Sequence, residues 1–144
     1  MYVLDTDLIV ILQHAESPER RRLLSAMAGH RPTDFFVTVV SLHEQVMGAN
    51  KYISRARKPA DIVRGYRMFE QSLLTFSQYQ LIPFDEPSAS LFEQLRQAGV
   101  RIGTMDLRIA SIALSHSHTL LTRNTVDFQK VLGLRIEDWT TGSA

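Results

Sequence analysis

Tyr2-Val3-Leu4 is an apolar run of strand-forming residues, too brief for a helix, and it ends on an acid, Asp5. A short segment of this kind reads as a buried strand. In an open parallel sheet Asp5 would then stand at a carboxyl end, where such sheets bind their ligands. A carboxylate there has two readings: a cap for the helix that follows, or an oxygen ligand for a hard cation. This stretch alone favours the cap, but the pattern recurs. Residues 35–40 are nearly all apolar or β-branched and predict a second strand covered on both faces. Residues 81–84 predict a third, with Pro83 marking its end or a sheet edge. Residues 119–122 and 134–136 predict a fourth and a short last strand.

Helical signals fill the gaps. Ser17-Pro18 has the cap-then-proline order of a helix start, Leu23, Leu24 and Met27 share a face, and Gly29 is a stop. Arg20, Arg21 and Arg22 read as a solvated face. Ser41 and Glu44 have capping-box spacing, so Glu44 either bonds back to the Ser41 amide or is a second carboxylate at a strand end; spacing does not separate the two. His43 has no second His at i+4 and reads as a surface or packing residue. Arg55, Arg57 and Lys58 suit the end of that helix. Pro59-Ala60-Asp61 opens another, whose Ile62, Val63, Tyr66, Phe69, Leu73, Leu74 and Phe76 recur with a period near 3.6. The two long helices should form a protruding antiparallel pair, with Tyr66 and Phe69 in its core. Asp85 or Ser88 starts the next helix, which stops at Gly99. Thr104 is a fair N-cap for a central helix with Asp106 in its first turn, a place the helix dipole alone would favour. His116 and His118 read as exposed end residues rather than a metal pair. Trp139 is expected to plug the bottom of the core.

Strands alternating with helices make the fold class α/β, with a mostly parallel sheet of four to five strands. The 144 residues suit a single domain, 1–144. The absence of cysteine excludes disulfides and thiolate metal sites and fits a reducing, cytoplasmic setting. No apolar run reaches membrane-spanning length, and Asp5 and Asp7 interrupt any signal-peptide core, so no membrane association is expected. A net charge of +1 and a pI of ≈ 8.2 neither announce nor exclude a nucleic-acid partner.

Asp5, Glu44, Asp106 and Asp127 each fall just after a predicted strand or at the mouth of a helix. Two carboxylates about 5 Å apart repel by roughly 3 kcal/mol at an effective dielectric of about 20, against a typical stability of about 5–15 kcal/mol. Such a group needs protons, bases or a metal ion to neutralise it. Oxygen ligands without Cys or paired His select Mg²⁺ or Mn²⁺, which activate water for attack on a phosphodiester.

Four motifs stand in order: Leu4-Asp5-Thr6-Asp7, Val40-Ser41-Leu42-His43-Glu44, Ile102-Gly103-Thr104-Met105-Asp106-Leu107-Arg108-Ile109-Ala110, and Leu121-Thr122-Arg123-Asn124-Thr125-Val126-Asp127-Phe128. Together they resemble a PIN domain, most of all the VapC-type ribonuclease toxins of type II toxin–antitoxin pairs. The resemblance spans almost the whole chain, its last two motifs are the most specific, and the ending Gly133-Leu134-Arg135-Ile136-Glu137-Asp138-Trp139 also fits. It implies a three-layer α/β/α fold and Mg²⁺- or Mn²⁺-dependent cleavage of RNA. Asp5, Glu44 and Asp106 would ligate one ion, and Asp127 would hold a second or position the attacking water. Asn124 would bind a water or phosphate, Thr104 would support the site, and Arg108 and Arg123 would meet RNA phosphates. Family members usually dimerise, and a small antitoxin blocks the site. Asp7 departs from the Asn or Ser of many members and reads as a helix cap with a supporting role.

Two other readings compete. Asp5-Thr6-Asp7 also resembles the start of haloacid-dehalogenase-like phosphatases, but Ile9 stands where that family wants Thr, and Asp106 lacks the paired acid of its last motif. The second is a non-catalytic PIN-like RNA-binding module, against which the retention of all four acids argues. No Gly-x-Gly-x-x-Gly follows the first strand, which disfavours a dinucleotide site.

Overall fold

The computed structural model describes residues 1–142. Strands β1 (Tyr2–Leu4), β2 (Phe35–Thr38), β3 (Gln80–Ile82), β4 (Thr119–Leu121) and β5 (Ile136–Glu137) form one sheet in the order β3-β2-β1-β4-β5, every pairing parallel. The helices are α1 (Thr6–Gln13), α2 (Pro18–Met27), α3 (Val39–Arg55), α4 (Pro59–Phe76), α5 (Glu86–Gln97), α6 (Thr104–Ser115) and α7 (Thr125–Phe128). Because side chains alternate across a strand, each strand feeds two cores. Val3 and Leu120 join Ile109, Ile112 and Ala113 of α6 on one face. Leu4, Val37 and Leu121 join Leu8, Ile9, Leu23 and Phe76 on the other. Burial on both faces makes the layers α/β/α and explains why the strands read as unbroken apolar runs.

Element boundaries differ from expectation at four strands, β4 only in ending at Leu121 instead of residue 122. β2 stops at Thr38, whose hydroxyl accepts the Ser41 N–H at 3.0 Å. Thr38 therefore caps α3, Val39 and Val40 fall inside the helix, and the Ser41–Glu44 capping box does not form. β3 starts and ends earlier than predicted, at the sheet edge that Pro83 indicated. β5 lies at 136–137 instead of 134–136. Ser17 and Asp85 cap α2 and α5 as read. Gly103, not Thr104, is the N-cap of α6, so Thr104 is its first helical residue and lies exposed.

Three residues join α3 to α4, too few for anything but an antiparallel return. The α4 stripe is buried only in part. Gly65, Ser72 and Phe76 face inward, whereas Ile62, Val63, Leu73 and Leu74 are exposed. Tyr66 is 61% exposed, which overturns its placement in the core, and Phe69 is half-buried beside it. The small residues explain this: they let the helices approach closely and leave the larger side chains outside. Where the arm joins the sheet, Gln13 and Gln45 exchange amide hydrogen bonds of 3.0 and 2.8 Å, and the Ser72 hydroxyl donates to Gln45 at 2.8 Å.

Trp139 is half-buried over Tyr2, His30 and Phe35. These rings close the amino-terminal end of β1 and β2, opposite Asp5. His116 is exposed, while His118 is half-buried with its ring 4.9 Å from that of Phe36. Among the described residues no helix is long and apolar enough to cross a membrane.

Candidate active site

From β1 the chain crosses outward to β2 and β3, then returns to lay β4 and β5 on the other side of β1. The crevice outside the carboxyl ends of β1 and β4 is therefore the topological switch point of the sheet, the place where such folds bind ligands. Asp5 ends β1 there. Its Oδ1 accepts the Thr6 N–H at 2.8 Å, capping α1, and its Oδ2 accepts the Thr122 hydroxyl at 2.8 Å from the end of β4. The cap and the site position coexist in one side chain. Asp5 is only 5% exposed, and its pKa is raised to about 6. Burial is the largest cause, reinforced by the charges of Asp106 and Asp7 and opposed by the Thr122 and Thr6 hydrogen bonds.

Glu44 projects from α3 toward the same rim. Without a capping box, its carboxylate instead accepts the Thr6 hydroxyl at 2.7 Å. That hydroxyl lies 2.8 Å from Ser41 Oγ, which in turn sits 3.3 Å from Thr38 Oγ1. A line of hydroxyls thus runs from the end of β2 to Glu44. Thr6, Ser41 and Thr122 went unnoticed as site residues in the sequence; the available signal was a hydroxyl residue beside or near each acid.

Asp106, in the first turn of α6, is half-buried, and its pKa is raised by burial first and then by the charges of Glu44 and Asp127. Asp127 lies on α7. It accepts Asn124 Nδ2 at 3.0 Å and Lys130 Nζ at 3.4 Å, and these hydrogen bonds, Asn124 first, lower its pKa. Asn124 also caps α7, and its backbone N–H donates to Thr122 Oγ1 at 2.9 Å. It is thus engaged in holding the loop and Asp127.

The supporting residues divide. Asp7 caps nothing: Arg123 grips its carboxylate with Nε and Nη2 at 2.6 and 2.9 Å, tying α1 to the loop after β4. Both side chains are more than a third exposed, so the pair adds under about 1 kcal/mol. A second acid occupied in this way is a poor match to a phosphatase acid–base pair. The Arg108 guanidinium lies over the Phe92 ring, 5.7 Å from its centroid, with Nη1 3.6 Å from Met105 Sδ. It is spent on the α5–α6 packing.

The donor set suits a hard divalent ion: carboxylates from four segments, mutually coupled, without sulfur or imidazole. Arg123 and Lys130 engage Asp7 and Asp127; among the described residues no cation pairs with Asp5, Glu44 or Asp106. A buried, unpaired acid such as Asp5 is the kind of group a bound cation would stabilise. Among the described residues no three acids or histidines already stand close enough to form a cage. The fit is therefore one of chemistry and coupling, and an ion would have to draw the carboxylates inward.

The PIN domain family matches residues 2–133, and this chain belongs to it. It is 27% identical over 132 residues to Toxin FitB of Neisseria gonorrhoeae, covering 89% of this chain and 91% of the relative. It is 30% identical over 108 residues to the tRNA(fMet)-specific endonuclease VapC of Shigella flexneri, covering 72% of this chain and 74% of the relative. A solved structure of FitAB bound to a DNA fragment superimposes with a TM-score of 0.75 at 24% identity, covering 100% of this chain and 99% of that one. VapBC-1 from nontypeable Haemophilus influenzae gives 0.75 at 22%, with 97% and 98% covered. These superpositions bear out the α/β, PIN-like fold with its parallel sheet.

Proposed function

We propose that this protein is a divalent-metal-dependent ribonuclease that hydrolyses RNA phosphodiester bonds, the toxin of a toxin–antitoxin pair. The observation that carries this reading is Asp5, a buried acid at the switch point, coupled to Asp106 and sharing its rim with Glu44 and Asp127. Relatives named as ribonucleases and toxins, and neighbours solved as toxin–antitoxin complexes, support it. A cognate antitoxin, a homodimer and a cytoplasmic setting belong to the same reading, as does a single domain across residues 1–144.

Asp5, Glu44 and Asp106 would hold one Mg²⁺ or Mn²⁺, with Asp127 at a second position. Such an ion supplies charge neutralisation at the phosphate and a nucleophilic water at neutral pH. The protein contributes orientation. Thr122 and the Thr6 amide fix both oxygens of Asp5. The Thr6 hydroxyl aims Glu44. Asn124 and Lys130 keep Asp127 ionised, so that one of its oxygens can accept a hydrogen bond from the attacking water. Arg123, held at the rim by Asp7, presents its remaining N–H groups to a substrate phosphate.

Two measurements test the reading. Millimolar Mg²⁺ or Mn²⁺ raises the melting temperature, since a ligand at about a hundred times its dissociation constant adds roughly 2.7 kcal/mol. No shift with either ion removes the metal site. Thr6→Val frees Glu44 and weakens Mn²⁺ binding by about 10–100-fold, the usual cost of losing an orienting partner. Calorimetric titration reads this directly, and unchanged affinity would mean that Glu44 is not a ligand.

A further inference from the structure

The α3–α4 arm ends in a concentration of positive charge. Lys51, Arg55, Arg57, Lys58, Arg64 and Arg67 face one acid, Asp61, between positions 48 and 68, in a chain whose net charge is only +1. The rest of the protein is therefore net acidic. All six cations are exposed, and among the described residues none forms an ion pair. Helix chemistry accounts for little of this. Arg55 complements the carboxyl end of α3, but Lys58 is the N-cap of α4, where the helix dipole opposes a cation and no side chain satisfies the free amides. Arg57 lies in the linker, and Arg64 and Arg67 lie inside α4. Crowded like charges with no internal partner point to an external polyanion.

The tip also has shape. A hollow of about 520 Å³ opens between the helices, lined by Lys51, Tyr52, Arg55 and Met68 among others. The Arg64 guanidinium lies over the Tyr52 ring at 5.7 Å, and the Arg64 side chain is exposed. Tyr66 is exposed two residues on, on the other flank of α4. Cations interleaved with aromatic faces are the makings of a surface for single-stranded or looped nucleic acid.

We propose that the arm tip is a second RNA-binding surface that grips the substrate backbone away from the cleaved bond. This rests on the ribonuclease reading for its substrate class. Glu44 and Arg55 are eleven residues apart on one helix, about 16 Å along its axis. A stacked strand advancing about 3.4 Å per phosphate needs on the order of five phosphates to bridge that span. The protein should therefore favour RNAs long enough to reach both places.

The test combines Lys51→Gln, Arg55→Gln, Arg57→Gln and Lys58→Gln in the full chain. Glutamine keeps helix propensity, so the melting temperature should hold. RNA binding is measured by anisotropy in an Asp5→Asn background, and cleavage with Asp5 intact. The expected results are a Kd for a twenty-nucleotide RNA raised about tenfold or more at 0.1 M salt, and a log–log salt slope shallower by about three. The KM for that RNA should rise with kcat unchanged, and a trinucleotide substrate should be cut as before. Unchanged Kd and salt slope would overturn the proposal. So would unchanged RNA binding with lost affinity for a polyglutamate peptide, which would assign the tip to an acidic protein segment. If the parent binds RNA through the tip but cleaves none with Mg²⁺ or Mn²⁺, the ribonuclease reading fails and the tip surface stands.

Discussion

Gly65→Ala will lower stability by about 1–3 kcal/mol, although in an exposed helix interior the same exchange stabilises by roughly 0.5–1 kcal/mol. The sign inverts because a Cβ at position 65 would overlap Cγ1 of Ile53 across the α3–α4 contact and crowd the Tyr52 ring. Cγ1 is close to the backbone and cannot swing aside as a side-chain tip would, so α4 must shift. For a chain of this length the loss corresponds to a fall in melting temperature of about 4–10 °C. Ile53→Ala empties the contested space. In that background Gly65→Ala should cost almost nothing, a non-additivity that a double-mutant cycle reads directly. Equal cost in both backgrounds would mean that the arm does not pack as described.

Asp5→Asn will abolish RNA cleavage, by about 10³-fold or more, while leaving the metal-free fold as stable as the parent or more so at neutral pH. The stability arm follows from linkage. The folded-state pKa of Asp5 is about 6 against an unfolded value of 3.8. Between these values the folded protein binds the extra proton. The stabilisation is thus complete below about pH 4 and is lost as the pH rises through 6, to the extent of roughly 3 kcal/mol. Asparagine is neutral throughout, so the variant lacks this decline. Denaturation at pH 4 and at pH 7 in chelator, for both proteins, gives the comparison. A variant much less stable than the parent at pH 7 would show that Asp5 serves chiefly as a helix cap, and full activity would remove it from the chemistry.

Much of this architecture was legible from local pattern. Doubly buried strands are continuously apolar, so β1, β2 and β4 announced themselves, as did the Ser17 and Asp85 caps. The errors came where two local rules competed. Thr38 and Ser41 both precede helical residues, and spacing to Glu44 favoured Ser41; burial of Val40 against the α6 core settled the start at Val39. Asp7 resembled a cap because it stands near a helix start, but its partner, Arg123, is 116 positions away and no local rule reveals it. Tyr66 fitted a helical stripe, yet periodicity does not say which stripe faces α3; Gly65 and Ser72 decide that. That Asp5 closes a strand and that Asp106 falls in the first turn of a helix was readable. The hydroxyls that aim them were not, because Thr6 and Ser41 meet only after α1 and α3 have docked.

The bond from Thr122 to Asp5 joins residues 117 positions apart, and β1 stays unpaired on one side until β4 arrives. Contacts of such long sequence separation form slowly. A nascent chain that has not yet emerged past Asp127 therefore cannot complete the crevice. Until then the acids are carried on a chain that has no pocket to hold them.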